Sequence, residues 1–200
     1  MTEWIANKYI IEAPEFVKWL PPREELWSLR GKILGSDQRS WDGQTWYRTN
    51  DDPRFQYALD KIDRTYVEPE TDITPYLTVK HEGLWMRPHI DNCPGRNVVL
   101  IYPIAPLDYD IVYVDKCEDG MEKLDTDFYH RPYEDSLPYE YNEVFRHTYR
   151  CPTFLNTKHP HAVEERRERK MLSFRVNFGN INWTFDDVVE HYKSGKMFHE

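Results

Sequence analysis

Two short stretches hold side chains whose types and spacing could do chemistry. In "RPHIDNCPG" (87–95), His89 and Asp91 stand two positions apart, just before the apolar run "NVVLIYPIA". Strand residues i and i+2 point to the same face, so an imidazole and a carboxylate would project side by side. Polar groups on an inward face need partners. In "NTKHPHAVEE", His159 and His161 repeat the same spacing. The strand-like "KMLSFRVNF" follows, with Lys170 at its start and Arg175 within it. Two imidazoles and one carboxylate can hold a transition metal on one face and leave positions open for other ligands. A neighbouring cation suits a carboxylate-bearing co-substrate. A catalytic zinc uses the same donors. The chain has no HExxH, which disfavours the common metalloprotease form.

The elements that must position these groups are mostly strands. "ITPYLTVKHEGLWMRPHI" reads as two strands about Glu82–Gly83, and "NVVLIYPIA" and "YDIVYVD" follow. After an acidic stretch (116–142) come "NEVFRHTY", "PTFLN", "HPHAVEE" and "KMLSFRVNF". Short strands at even spacing are the pattern of an antiparallel sandwich or barrel. The N-terminal third reads as helical and irregular. "PPREELWSLRGK" has Pro at a helix start and Gly31 past its end, and "DDPRFQYALDKID" (51–63) carries the stripe Phe55, Ala58, Leu59 and Ile62. "TFDDVVEHYKSG" closes the chain, with a capping pattern from Thr184 to Asp187 and a stop at Gly195. The expected class is mainly β (α+β). The expected organisation is a single domain over 1–200, with a helical or irregular part (1–70), a β core (71–180) and a C-terminal helix (181–200).

These motifs together resemble the 2-oxoglutarate and Fe(II)-dependent oxygenases. That family shows His-x-Asp, a distant His, and a basic residue about ten positions later on the next strand. Here those are "HID" (89–91), His161 in "PHAVE", and Lys170. The run "HIDNCPGRNVVLIY" is similar to that of prolyl hydroxylases, as is the H-x-V start of the distal-His strand. The resemblance covers roughly residues 72–178.

The resemblance implies a double-stranded β-helix (jelly-roll, cupin-like) core. It implies Fe(II) held by His89, Asp91 and His161, 2-oxoglutarate as co-substrate, and dioxygen (O2) at the remaining position. Lys170 would pair the distal carboxylate by spacing, with Arg175 as the alternative; Lys supplies charge but not the bidentate fork of the more usual Arg. Arg169 alternates to the face opposite Lys170. Tyr76 and Tyr102 are candidates to hydrogen-bond the co-substrate. His159 is the competing third ligand. The implied reaction is hydroxylation of a peptide or protein residue, prolyl-type favoured, or of a small metabolite. Two alternatives remain: a non-catalytic jelly roll used for binding or assembly, and a cupin-like metal enzyme without 2-oxoglutarate. The acidic stretch 116–142 and "SWDGQTWYR" (40–48) are candidate lids.

Composition narrows the partners. The formal net charge of −9 disfavours nucleic-acid backbone binding. Three cysteines without CxxC point to a reducing compartment and no disulfide framework. No run reads as a membrane span and the N-terminus does not read as a signal peptide, so no membrane partner and a cytoplasmic location are expected.

Overall fold

The structure, a computed structural model, describes residues 5–28, 38–41, 44–48, 53–61, 74–80, 84–90, 98–105, 107, 110–115, 130–132, 142–165, 169–175 and 184–199. The strands in chain order are β1 (Ile10–Glu12), β2 (Gln38–Trp41), β3 (Gln44–Arg48), β4 (Thr74–Lys80), β5 (Leu84–His89), β6 (Val98–Ala105), β7 (Asp110–Val114), β8 (His130–Pro132), β9 (Glu143–Thr148), β10 (Thr153–Asn156), β11 (His161–Glu165) and β12 (Arg169–Arg175). The α-helices are α1 (Arg23–Ser28), α2 (Pro53–Asp60) and α3 (Phe185–Lys193), and Pro14–Trp19 forms a 3-10 helix.

The strands form two antiparallel sheets. The large sheet runs β1-β10-β6-β12-β4-β3-β2, and the small one β8-β5-β11-β7-β9. From β4 onward the chain crosses back and forth between them, with β7, β8 and β9 as successive strands of the small sheet. β4, β6, β10 and β12 lie in the large sheet, and β5, β7, β9 and β11 in the small one. The two strands about Glu82–Gly83 are therefore strands as expected, but they lie in different sheets.

Among the described side chains of the large sheet, those of β1, β6 and β10 are buried on both faces. Ile10, Val99, Ile101 and Leu155 pack against Ile111 and Tyr113 of the small sheet, making an inner core. On its other face Ile11, Val98, Leu100, Tyr102, Ile104 and Phe154 pack against Phe16, Trp19, Leu26, Phe185 and Val188, making an outer core. This explains the unbroken apolar run of β6, because a strand covered on both faces needs no polar alternation.

The N-terminal third holds more β structure than its sequence texture implies. β1 is an edge strand paired with β10, and β2 and β3 pair with each other and extend the large sheet beyond β4. "SWDGQTWYR" thus contributes strand residues on either side of an Asp-Gly dipeptide, a strong two-residue hairpin signal. α1 and α2 fall where expected, whereas Gly31, Ile62 and most of 116–142 lie outside the described residues.

α3 matches its sequence signals closely. Thr184 Oγ1 accepts from the Asp187 N–H at 3.2 Å, and Asp187 Oδ2 accepts from the Thr184 N–H at 2.7 Å. Gly195 follows with φ +74°, a left-handed conformation that glycine adopts without steric cost.

One ionic group sits where β1 and β9 edge the sandwich. Glu12 is fully buried and accepts from Arg150 at 2.7 and 2.8 Å and from the Ile5 N–H at 2.9 Å. His147 Nε2 stands 3.9 Å from Glu12, buried and without a hydrogen-bond partner. Burial pushes the Glu12 pKa up, but the Arg150 bonds, the Ile5 N–H and nearby charge outweigh it and hold it below the usual value.

Candidate metal centre

His161 opens β11 and is 6% exposed. Its Nδ1 lies 2.9 Å from the His159 carbonyl oxygen. A ring nitrogen facing a carbonyl donates, so Nδ1 carries the proton and Nε2 the lone pair. A metal-ligating histidine is oriented in this way, with one nitrogen tied to a carbonyl or carboxylate.

The turn supplying that carbonyl is itself tied down. Asn156 Nδ2 donates to the Lys8 carbonyl at 2.9 Å, and the Lys158 N–H donates to Asn156 Oδ1 at 3.2 Å. The Val114 N–H donates to the Pro160 carbonyl at 3.0 Å. Asn156 thus serves the turn. His159 packs its ring edge-on to Tyr9, with centroids 5.2 Å apart.

Register places His89 beside His161. The two are directly opposite across β5 and β11, and His161 faces Tyr113 of β7 on its other side. Opposed residues share a sheet face. Tyr113 is fully buried in the inner core, so this face is turned toward the large sheet. Its hydroxyl donates to the Tyr9 carbonyl at 2.9 Å, and its ring centroid is 6.0 Å from that of His161.

A β-bulge precedes His89. His161 pairs with His89 and Val163 with Met86, so Arg87 and Pro88 together oppose Ala162. Pro88 has no N–H for the ladder, and a bulge is one of the few places a sheet tolerates proline. Asp91 lies outside the described residues. Among the described residues no group of three His, Cys, Asp or Glu gathers as metal donors. The described part of the triad fits a metal nonetheless: one buried imidazole in a fixed tautomer, with a second histidine position directly across the ladder.

The other candidates divide by face. Ser173 pairs with Ile101 of the inner core, and Leu172 with Tyr102 of the outer core. Along β12, which pairs with β4 without interruption, alternation assigns positions 169, 171, 173 and 175 to the inner face. Positions 170, 172 and 174 take the outer face. Arg175 and Arg169 therefore share the inner-face register and Lys170 does not. Tyr76 pairs with Ser173, also on the inner face.

Tyr102 is buried in the outer core, with the Arg23 guanidinium 4.9 Å from its ring centre. Burial raises its pKa, with Arg23 acting in the opposite direction. Strand alternation anchored on Ile101 is the signal that separates Arg169 from Lys170, and spacing alone does not carry it.

No protein-family model matches the chain, and no curated protein matches it. Among the solved structures that resemble it are two with a TM-score of 0.51 each. One is HygX from Streptomyces hygroscopicus with nickel and 2-oxoglutarate bound, at 16% identity, over 88% of this chain and 85% of that one. The other is a prolyl hydroxylase from Trichoplax adhaerens in complex with a hypoxia inducible factor oxygen degradation domain peptide fragment. It is 13% identical, over 86% of this chain and 84% of that one. At these identities the likeness shows a shared fold. Among the described residues, no helix is long and apolar enough to cross a membrane.

Proposed function

We propose that the chain is a 2-oxoglutarate and Fe(II)-dependent dioxygenase on a double-stranded β-helix. Its substrate would be a peptide or protein residue, prolyl-type favoured, or a small metabolite. The observation that carries the reading is His161, buried, held through Nδ1, and opposed in register to His89 two positions before Asp91. The division of eight strands, four to each of two facing sheets with repeated crossings between them, supports the core architecture. The fold shared with a 2-oxoglutarate-bound protein and a prolyl hydroxylase supports the co-substrate and reaction class.

In this reading His89, Asp91 and His161 hold the iron. Iron with bound 2-oxoglutarate supplies the oxidising power for hydroxylation. The His159 carbonyl keeps the His161 ring in its tautomer, and the Tyr9–Tyr113–Phe145 aromatic cluster closes the neighbouring inner face to water. An inner-face arginine of β12, Arg169 or Arg175, pairs the distal carboxylate of 2-oxoglutarate. Ser173 and Tyr76, opposite each other in register, are the candidates to assist it.

Anaerobic addition of Fe(II) and then 2-oxoglutarate should produce a weak visible charge-transfer band that neither produces alone. A wild-type protein that shows no band and does not bind 2-oxoglutarate would rule this reading out. A second titration assigns the cation. Alanine at Arg169 or at Arg175 should raise the half-saturating 2-oxoglutarate concentration by about tenfold or more, the weight of a charged hydrogen bond. Lys170→Ala should change it by less than about twofold, as befits a position on the other face of β12. A larger effect at Lys170 would return the role to the residue that spacing selects.

A further inference from the structure

The turn that orients His161 also forms a wall of a cavity of about 420 Å³, lined by Lys8, Asn156, Lys158, His159, Thr184, Phe185 and Asp186. Three observations bear on what it takes. Two lysines converge there in a chain of net charge −9, so the cavity runs against the background charge. Asn156 holds both lysine backbones, accepting from the Lys158 N–H and donating to the Lys8 carbonyl. Lys8 Nζ also sits 4.8 Å over the Tyr9 ring, beside the His159 ring that Tyr9 packs against. The Thr184–Asp187 capping box already occupies the start of α3 and Asp186 adds negative charge, so the helix end supplies no attraction for an anion.

We infer that this cavity binds a carboxylate group of the substrate, through Lys8 and Lys158, one residue from the carbonyl that orients His161. The proposal rests on the oxygenase reading for the word substrate, but the binding itself does not require iron. The source is an acidic peptide segment or an acidic small molecule, and the chemistry is common to both. Opposed by Asp186, the site is tuned to moderate affinity and to sensitivity toward salt.

The test uses the metal-free full chain at low ionic strength, titrated with an acetylated tri-glutamate peptide and separately with N-acetylglutamate. Binding is followed by calorimetry and by backbone amide NMR shifts at 156–159 and 184–186. The peptide should bind, and Lys8→Ala with Lys158→Ala should weaken it by about tenfold. Asp186→Asn should tighten it by about twofold to fivefold, a sign that a merely structural Asp186 would not give. Stronger binding of N-acetylglutamate than of the peptide would assign the site to a small molecule. No binding by either probe, or binding unchanged in all three variants, would overturn the proposal. The charge-transfer band in the double lysine variant separates the two readings. If the band is present in wild type and variant alike while the peptide fails to bind, the oxygenase stands and this cavity does not. Peptide binding without a band has the reverse meaning.

Discussion

His161→Ala should lower Fe(II) affinity by more than about 100-fold, beyond the 10- to 100-fold typical of losing an outer partner of a metal ligand. His159→Ala should leave Fe(II) affinity within about threefold of wild type. The two histidines lie two residues apart and the sequence offers either as the third ligand. Their contributions to the turn differ. His161 presents a ring whose Nδ1 is occupied by the His159 carbonyl, so its Nε2 is the donor. His159 contributes that carbonyl, which alanine retains, while its ring packs on Tyr9 and lines the cavity above. Burial and the Lys8 charge lower the His159 pKa, with Asp186 acting the other way. Anaerobic Fe(II) titration with circular dichroism as a folding control checks both variants. Loss of iron in His159→Ala with retention in His161→Ala would exchange the assignments.

Arg150→Ala should destabilise the protein by about 3 kcal/mol at pH 7.5, with a smaller deficit at pH 4. Removing one partner of a buried ion pair leaves the other charged and unpaired, which is where the large penalties arise. Arg150 is 44% exposed and water can replace its contacts, but Glu12 is fully buried and keeps only the Ile5 N–H. The pH dependence follows from the lowered Glu12 pKa in the folded protein. Such a group adds stability above its unfolded pKa, near 4.5, and that contribution is lost as pH falls through the folded value. In the variant, burial acts on Glu12 without the opposing guanidinium and favours the protonated acid. The two stability curves therefore converge toward acid. His147, whose pKa is lowered mainly by burial, is neutral at pH 7.5. Urea midpoints at the two pH values measure the effect. Adding Glu12→Gln to Arg150→Ala should recover part of the loss; no recovery would place the cost in packing instead of charge.

How far the sequence reaches is clearest at single positions. Thr184, Asp187 and Gly195 announced α3 correctly because capping and a positive φ are local requirements that reach only a few residues. Strand pairing was not legible in this way. Periodicity marks a residue as belonging to a strand but says nothing about the neighbour that accepts its hydrogen bonds, so the two strands about Glu82–Gly83 were legible as strands while their lying in separate sheets was not. Faces were equally hidden: Lys170 has the right spacing from His161, and only pairing with Ile101 and Tyr102 reveals that Arg169 and Arg175 take the inner register. Glu12, His147 and Arg150 carried no motif, because their cluster is assembled by strands at opposite ends of the chain.

The pairing of β1 with β10 also sets a clock for synthesis. Ile10–Glu12 finds its partners at Thr153–Leu155, so β1 cannot take its place in the large sheet until the chain has been made as far as β10. At about 5–20 residues per second, β1 waits roughly 7–28 s for that partner. Over that interval Ile10 and Ile11, both fully buried in the finished fold, have no strand to cover them. The nascent chain therefore leaves these two isoleucines uncovered until β10 is made, and the large sheet is completed only when β12 enters between β6 and β4.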